Sequence, residues 1–404
     1  MRIVVLHPDV CVCAGNTRLM FMMADVFKGL GHRVTVVGRH FKQTRTKIVA
    51  VLPFKFCSKC SVSYPKSATE CKKCHGPLED KITYTEKEGM FKKHYDIEDF
   101  AKYHPVKHLT LDDIMLESIP VSHPFFYFPQ RVQRLIDKVD IVFTDAELYV
   151  KLPEKIEGVE KKQLQYVHFP LETLKPVPNH PPSRVWCNSF FTREHIKQFW
   201  GLNAQVVYPP LHCDLYENSN GFDDREFDVV MFSRLHPDKF APVLPALKDF
   251  KVAVVGSAYG YEKTMPNFVT LFKDATFKEV VSVLSRSKVY VHAKGFGQYE
   301  QGKQSLPEHF GQTIVEAMAC GCVPLVPSVG GPLEIVGAKE QYGFCFHDVD
   351  GLTRTVKLLL PSSKFWGRCS RAAVKRAHTF DASVISKRVQ KLLLGKREKG
   401  EETG

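Results

Sequence analysis

The 404-residue chain contains no apolar run near the roughly 18–20 residues a helix needs to cross a bilayer. Its opening, MRIVVLHPDV, breaks at His-Pro-Asp after a handful of apolar residues. That is too soon for a signal-peptide core, and it reads as a first strand. Both absences lead to the expectation of a soluble, cytoplasmic protein. Repeats with periods of 20–50 residues are missing, and apolar residues at 44% with charged residues at 25% match the globular average. Wholesale disorder, coiled coil and collagen-like structure are thereby excluded. Most of the chain also lacks a surplus of either charge. The net +12 resides almost wholly in residues 351–400, where 13 Lys and Arg face 2 Asp and Glu; elsewhere 43 face 42. So confined a basic block suits phosphate, membrane-surface or nucleic-acid contact, or a merely solvated helix face.

Cysteine, by contrast, is plentiful at 12 residues, and spacing decides how it is read. Cys57, Cys60, Cys71 and Cys74 form C-x2-C-x10-C-x2-C, two knuckles that can offer four thiolates to one structural zinc. Four protein ligands leave no open position for catalysis. Nearby Lys55, Lys59, Lys66, Lys72, Lys73 and Tyr64 suit a nucleic-acid or partner surface; equally, the ribbon stiffens an insertion too small for its own core. The other eight cysteines are scattered and read as buried thiols, not a disulfide framework.

Apolar periodicity predicts a strand at residues 3–6, a helix through Leu19, Met22, Met23, Val26, Phe27 and Leu30, and a strand at 33–37. This β-loop-α-β opening is how a doubly wound domain begins. Residues 54–108 lose the pattern and read as an insertion carrying the ribbon at 57–74. Strands return at 139–144, 164–168 and 184–188, with a helix near 192–200. Pro209-Pro210 marks a domain boundary, after which strands are predicted at Phe227–Phe232, 251–256, 289–293 and Val323–Pro327. The expected organisation is a Rossmann-like domain at 1–205, a second at 206–380, and a terminal helix and tail at 381–404. Ligands usually bind in the cleft between two such halves.

The richest stretch is PEHFGQTIVEAMACGCVPLVPSVGGPLEIV, residues 307–336. With Gln312–Ala319 helical, eight residues rise about 12 Å, too long for a glycosidase-type carboxylate pair of Glu308 and Glu316 unless the segment before Gly311 folds back. They therefore receive separate jobs on one elongated ligand. Gly311, at the helix start, lets backbone N–H groups approach a phosphate. Gly330-Gly331-Pro332 offers a second loop of the same kind, or an ordinary helix-entry turn.

Taken together, Glu308-x7-Glu316 with His309-Phe310-Gly311, Glu316-Ala317-Met318 and Gly330-Gly331-Pro332 resembles the donor-site signature of glycosyltransferase family 4. Phe232-Ser233-Arg234 through Lys239 resembles that family's donor-phosphate segment. Tyr166-Val167-His168-Phe169-Pro170, Asn188-Ser189-x-x-Thr192 and Val207-Tyr208-Pro209-Pro210 are similar to the lipid-linked-oligosaccharide α-1,2-mannosyltransferases. The resemblance covers most of the chain except about 54–108 and 295–306. It implies a GT-B fold, α/β with two Rossmann-like domains, and retaining transfer without a catalytic metal. It further implies that Arg234 and Lys239 steady the leaving diphosphate and that Glu316 holds the ribose. Glu308 and His168 would face the donor sugar, with Gly15 letting the first loop approach. Gly15 stands alone where relatives have a run of glycines, and Lys294 to Leu306 is a polar insertion suited to a lid, an acceptor-reading loop or plain surface. Phe125-Phe126-Tyr127-Phe128 could line an acyl or acceptor groove, or pack in a core. The helix at 383–394, with Val384, Ile385, Val389, Leu392 and Leu393 on one face, packs back on the first domain or lies on an anionic membrane.

The implied reaction moves a hexose, mannose favoured, from GDP-mannose or a UDP-sugar to a polyprenyl-phosphate-linked glycan. Two alternatives stay open: transfer to a nucleic-acid base, and a non-catalytic zinc-dependent scaffold. Attachment to the cytoplasmic membrane face would be peripheral.

Overall fold

The computed structural model describes residues 1–7, 15–39, 52–57, 62–65, 69–70, 74–75, 77, 79–83, 99–117, 130–145, 158–170, 184–216, 220–257, 264–296, 307–337 and 339–395. Strands β1 (Arg2–Leu6) and β2 (Arg33–Arg39) flank a helix at Gly15–Gly29 and open a parallel sheet. Next come β3 (Leu52–Cys57), β4 (Val62–Pro65) and β5 (Glu79–Thr83), a separate antiparallel sheet ordered β4-β3-β5. The chain rejoins the first sheet with β6 (Ile114–Glu117), β7 (Ile141–Asp145), β8 (Gln163–Val167), β9 (Arg184–Cys187) and β10 (Gln205–Val206). Its order is β10-β9-β8-β7-β1-β2-β6, parallel throughout.

A second parallel sheet follows from β11 (Phe227–Phe232), β12 (Val252–Gly256), β13 (Val269–Lys273), β14 (Ser287–Val291), β15 (Val323–Pro327) and β16 (Phe344–Phe346). Its order is β13-β12-β11-β14-β15-β16. These are two Rossmann-like halves, the GT-B arrangement. Each sheet is covered on both faces, which is why its strands read as unbroken apolar runs. Ile3 and Val5 pack under Leu19, Met23 and Phe27, while Val4 and Leu6 meet Val132 and Ile136 on the other side. In the second half Val230 and Tyr290 meet Ile314 and Met318, whereas Val229 and Met231 meet Leu352 and Trp366.

Residues Lys42–Phe91 form a compact body of their own. This body starts before, and ends before, the 54–108 inferred from lost periodicity. Phe100 and Leu109, irregular in sequence, are buried in the first half's core. Cys60 and Cys71 lie outside the described residues, as does the side chain of Cys57; the Cys74 side chain is half-buried. The backbone still says something about the quartet. Cys57 ends β3 opposite Val62, the first residue of β4. Glu79 opposes Phe56, which brings the start of β5 to that same end of the sheet. His75, directly after Cys74, has φ +52°, a tight turn that few non-glycine residues adopt.

The final helix, Ala382–Leu393, buries Ile385, Val389 and Leu393 in the first half's core. Its apolar stripe is narrower than the spacing suggested: Val384 is 45% exposed. On the same helix the Arg388 Nε donates to the Val206 carbonyl at 2.6 Å. Among the described residues no helix is long and apolar enough to cross a membrane.

Candidate active site

Parallel α/β sheets place functional side chains just beyond the carboxyl ends of their strands. In the first half His7 follows β1, Asp145 ends β7, His168 follows β8 and Asn188 follows β9. In the second, Ser233 and Arg234 follow β11, Ser257 follows β12, Asp274 follows β13 and His292 follows β14. A cleft of about 660 Å³ lies along these ends, bordered by both halves. Of the expected site residues, Gly15, His168, Arg234, Lys239, Glu308 and Gly311 border it.

Glu308 is the electrostatic centre. Its Oε2 lies 3.7 Å from the Lys239 ammonium and 3.6 Å from His292 Nε2. Burial pushes this carboxyl up, but Lys239 and His292 outweigh it and hold it below the usual range, so it is ionised at neutrality. Three residues on, Gly311 takes φ +103°, a left-handed turn that L side chains resist. That turn starts the helix Gln312–Ala319 with its amino end at the cleft, where Gln312 and Thr313 also stand. The helix has no side-chain cap, so its first-turn N–H groups suit an anionic ligand.

Gly330 and Gly331 pack closely against the segment that carries Glu308 and His309. Neither borders the cleft, and the Gly331 N–H is committed to the Glu308 carbonyl at 2.9 Å. A Cβ on Gly331 would sit 1.9 Å from the His309 carbonyl. Close backbone packing demands this glycine, and the loop supports Glu308 and His309 from behind. Across the cleft, the Ser189 hydroxyl donates to the His309 carbonyl at 2.5 Å, and Thr192 Oγ1 meets His309 Nδ1 at 3.1 Å.

Glu316 lies behind the cleft wall. Its side chain is 0% exposed, and Oε1 pairs with Arg18 of the first helix. Sequence reasoning missed Arg18, Tyr103, His104 and His292, all on the cleft. No spacing rule links Arg18 to a partner 298 residues away. Asp145 was also missed; its Oδ2 lies 3.2 Å from His7 Nδ1, and His7 Nε2 meets the Thr17 hydroxyl at 3.0 Å. The aromatic run at 125–128, residues 297–306 of the polar insertion and the loop at 8–14 lie outside the described residues.

Four histidines here are uncharged at neutral pH. Burial pushes His168 and His309 down to about 4 and lowers His104 and His292 as well. A neutral His168 can donate or accept a hydrogen bond to a sugar hydroxyl but brings no positive charge. Because the folded state binds protons more weakly than the unfolded one, stability rises with pH between about 4 and 6.5. It is fully present above the unfolded value and lost as pH falls through the folded values. For His309 the upper bound is about 3 kcal/mol, and His168, at the cleft, contributes less. Thermal melts from pH 7.5 to 4.5 should show the midpoint falling below pH 6.5, with a flatter profile for His309→Asn; a flat wild-type profile would contradict this.

Residues 216–376 match the family model for glycosyl transferases group 1. A GDP-Man:Man(3)GlcNAc(2)-PP-Dol alpha-1,2-mannosyltransferase from Eremothecium gossypii is 26% identical over 200 residues, covering 40% of this chain and 33% of that protein. The chain spans about a third of the length of the curated relatives it matches. Among solved structures, Anabaena HepE in complex with UDP and glucose superposes with TM-score 0.64 at 16% identity, covering 98% of this chain and 99% of that one. An alpha-glucosyltransferase bound to UDP and a 13-mer DNA superposes with TM-score 0.58 at 12% identity, covering 98% and 99%. At such identities the likeness concerns fold. The second half therefore matches the model for glycosyl transferases group 1, and the fold as a whole is that of the GT-B neighbours.

Proposed function

We propose that this chain is a glycosyltransferase that moves a hexose from a nucleotide-diphosphate sugar with retention of configuration and without a catalytic metal. The observation that carries the reading is the cluster of Arg234, Lys239, Glu308 and the Gly311 helix start on one cleft inside a group 1 domain. As the bond from the anomeric carbon to phosphate breaks, negative charge grows on the leaving diphosphate. Arg234, Lys239 and the helix amino end are the groups that would receive it. The acceptor hydroxyl forms the new bond to that carbon, and its proton passes to a leaving phosphate oxygen. Glu308 and His168 would hold the sugar's hydroxyls, and Glu316 the ribose.

The division of labour follows: residues 1–205 take the acceptor, 206–380 the donor, and 381–404 tie the two. GDP-mannose is the favoured donor, in keeping with the named activity of the mannosyltransferase relative. A glycan on a polyprenyl phosphate is the favoured acceptor, met at the cytoplasmic membrane face through the basic residues of 351–400. Cys57, Cys60, Cys71 and Cys74 would hold a structural zinc that ties the two knuckles of Lys42–Phe91 together. Transfer to a nucleic-acid base and a non-catalytic scaffold are outcomes of the test, not parallel proposals.

That test is a thermal-shift series with GDP, UDP and ADP and their sugar conjugates in EDTA. A ligand at 100 times its Kd should add about 2.7 kcal/mol of stability. One nucleotide should raise the melting temperature of the wild type and not of Glu316→Ala. No shift with any nucleotide would move the scaffold reading to the front.

A further inference from the structure

His292 follows β14, stands on the cleft wall and is 5% exposed. Its Nε2 lies 3.6 Å from Glu308 Oε2, an electrostatic contact longer than a closed hydrogen bond. Its Nδ1 lies 3.4 Å from the Tyr290 hydroxyl. That hydroxyl is in turn 2.7 Å from Thr313 Oγ1, in the first turn of the helix Gln312–Ala319. Tyr290 is 1% exposed, so the contacts run beneath the cleft surface from Glu308 to the helix start. Chemistry fixes the direction of this chain. Burial, with Lys239 and Lys294 nearby, outweighs Glu308 and keeps the His292 ring neutral, so only one nitrogen carries a proton. A lone pair on Nε2 would face an ionised carboxylate, acceptor against acceptor, and Nε2 therefore holds that proton. Nδ1 is left to accept from the Tyr290 hydroxyl, whose competing acceptor is the Phe232 carbonyl at 3.3 Å. Thr313 then donates to the Tyr290 oxygen.

We propose that His292 is a positioning residue for Glu308: its Nε2–H sets the carboxylate that meets the donor sugar, and Tyr290 and Thr313 hold the ring in that tautomer. This rests on the reading above that Glu308 holds the sugar's hydroxyls. Lys239 alone does not supply the same constraint. An ammonium on a flexible stem attracts from any direction, and the leaving diphosphate makes its own claim on it. His292, at the end of a buried strand, offers one donor in one place. Because the far end of the chain is Thr313, orientation of the sugar and the helix start that suits the diphosphate share one set of hydrogen bonds.

The experiment is calorimetric titration of the full chain with GDP, GDP-mannose, UDP and UDP-glucose, read as the Kd of each conjugate over that of its bare nucleotide. His292→Leu should raise this ratio about 10-fold, the lower end of the range for a hydrogen bond to a charged group, with bare-nucleotide binding as in wild type. His292→Gln, which keeps an N–H near the Nε2 position, should recover most of the loss. Tyr290→Phe should move the ratio the same way by less, and it carries the comparison if His292→Leu does not fold. Glu308→Gln should raise the ratio at least as far, and adding His292→Leu to it should change nothing more. An unmoved ratio in His292→Leu overturns the proposal and leaves the donor reading intact. Equal losses for conjugate and bare nucleotide also overturn it, as does a fully additive loss in the double variant, which makes His292 a contact of the sugar itself. A wild-type ratio in Glu308→Gln removes the premise, and the proposal falls with it. If wild type binds neither GDP nor UDP, the donor reading itself falls.

Discussion

Replacing Lys239 by Met is expected to lower kcat/KM for sugar transfer by about 10²–10³-fold, the loss seen when one preorganised charge-stabilising group is removed from a reaction centre. The ammonium stands 3.7 Å from Glu308 and on the cleft wall beside Arg234. Most of the loss should fall on kcat, because charge on the leaving diphosphate is greatest in the transition state. A second signature separates this from simple loss of a binding contact. Lys239 is the chief influence lowering Glu308, against burial that raises it. Without it the carboxyl titrates at higher pH, and activity should gain an acid limb that wild type lacks at the same pH. Steady-state kinetics from pH 5 to 8.5 would read both effects, with the melting midpoint as the control for folding. A variant with unchanged kcat would remove Lys239 from the chemistry.

How much of this was legible beforehand depended on whether a contact is local. Phe227–Phe232, Val323–Pro327 and the helix Gln312–Ala319 agree with their sequence reading to the residue, since each is a self-contained apolar pattern bounded by breakers. The three-residue β16 and β13, whose residues are only partly covered, carry no such pattern and escaped notice. Within the site, Glu308 and Gly311 were readable because they abut a helix start, and Lys239 only through the resemblance of its segment; all three border the cleft. Arg18 was not readable, because its partner is 298 residues away. Tyr103 and His104 were hidden inside a stretch taken for insertion. Gly330 and Gly331 were legible as glycines, but their close backbone packing against Glu308 and His309 was not.

The largest stability effect should come from a residue that no motif singled out. Asp25, 0% exposed in the first helix, accepts N–H bonds from Lys107, His108 and Leu109 at 3.0, 2.5 and 2.7 Å on one oxygen. Its other oxygen meets His212 Nε2 at 2.8 Å. Burial pushes the carboxyl up, but the His212 bond and the backbone donors hold it below its ordinary value. One carboxylate thereby joins the first helix, the chain returning from Lys42–Phe91 and the segment that leads into the second half. Asp25→Ala would strand these donors and is expected to cost about 3–5 kcal/mol, the penalty for breaking a buried charged network from one side. Asp25→Asn keeps an acceptor for the backbone and should lose only about 1–2 kcal/mol. Urea denaturation of the three proteins at pH 7 would rank them. If Asp25→Ala unfolds at the wild-type midpoint, the network is incidental to holding the two halves in register. If it falls as expected while Asn recovers most of the loss, the hydrogen bonds of this side chain, and not its charge, carry the stabilisation.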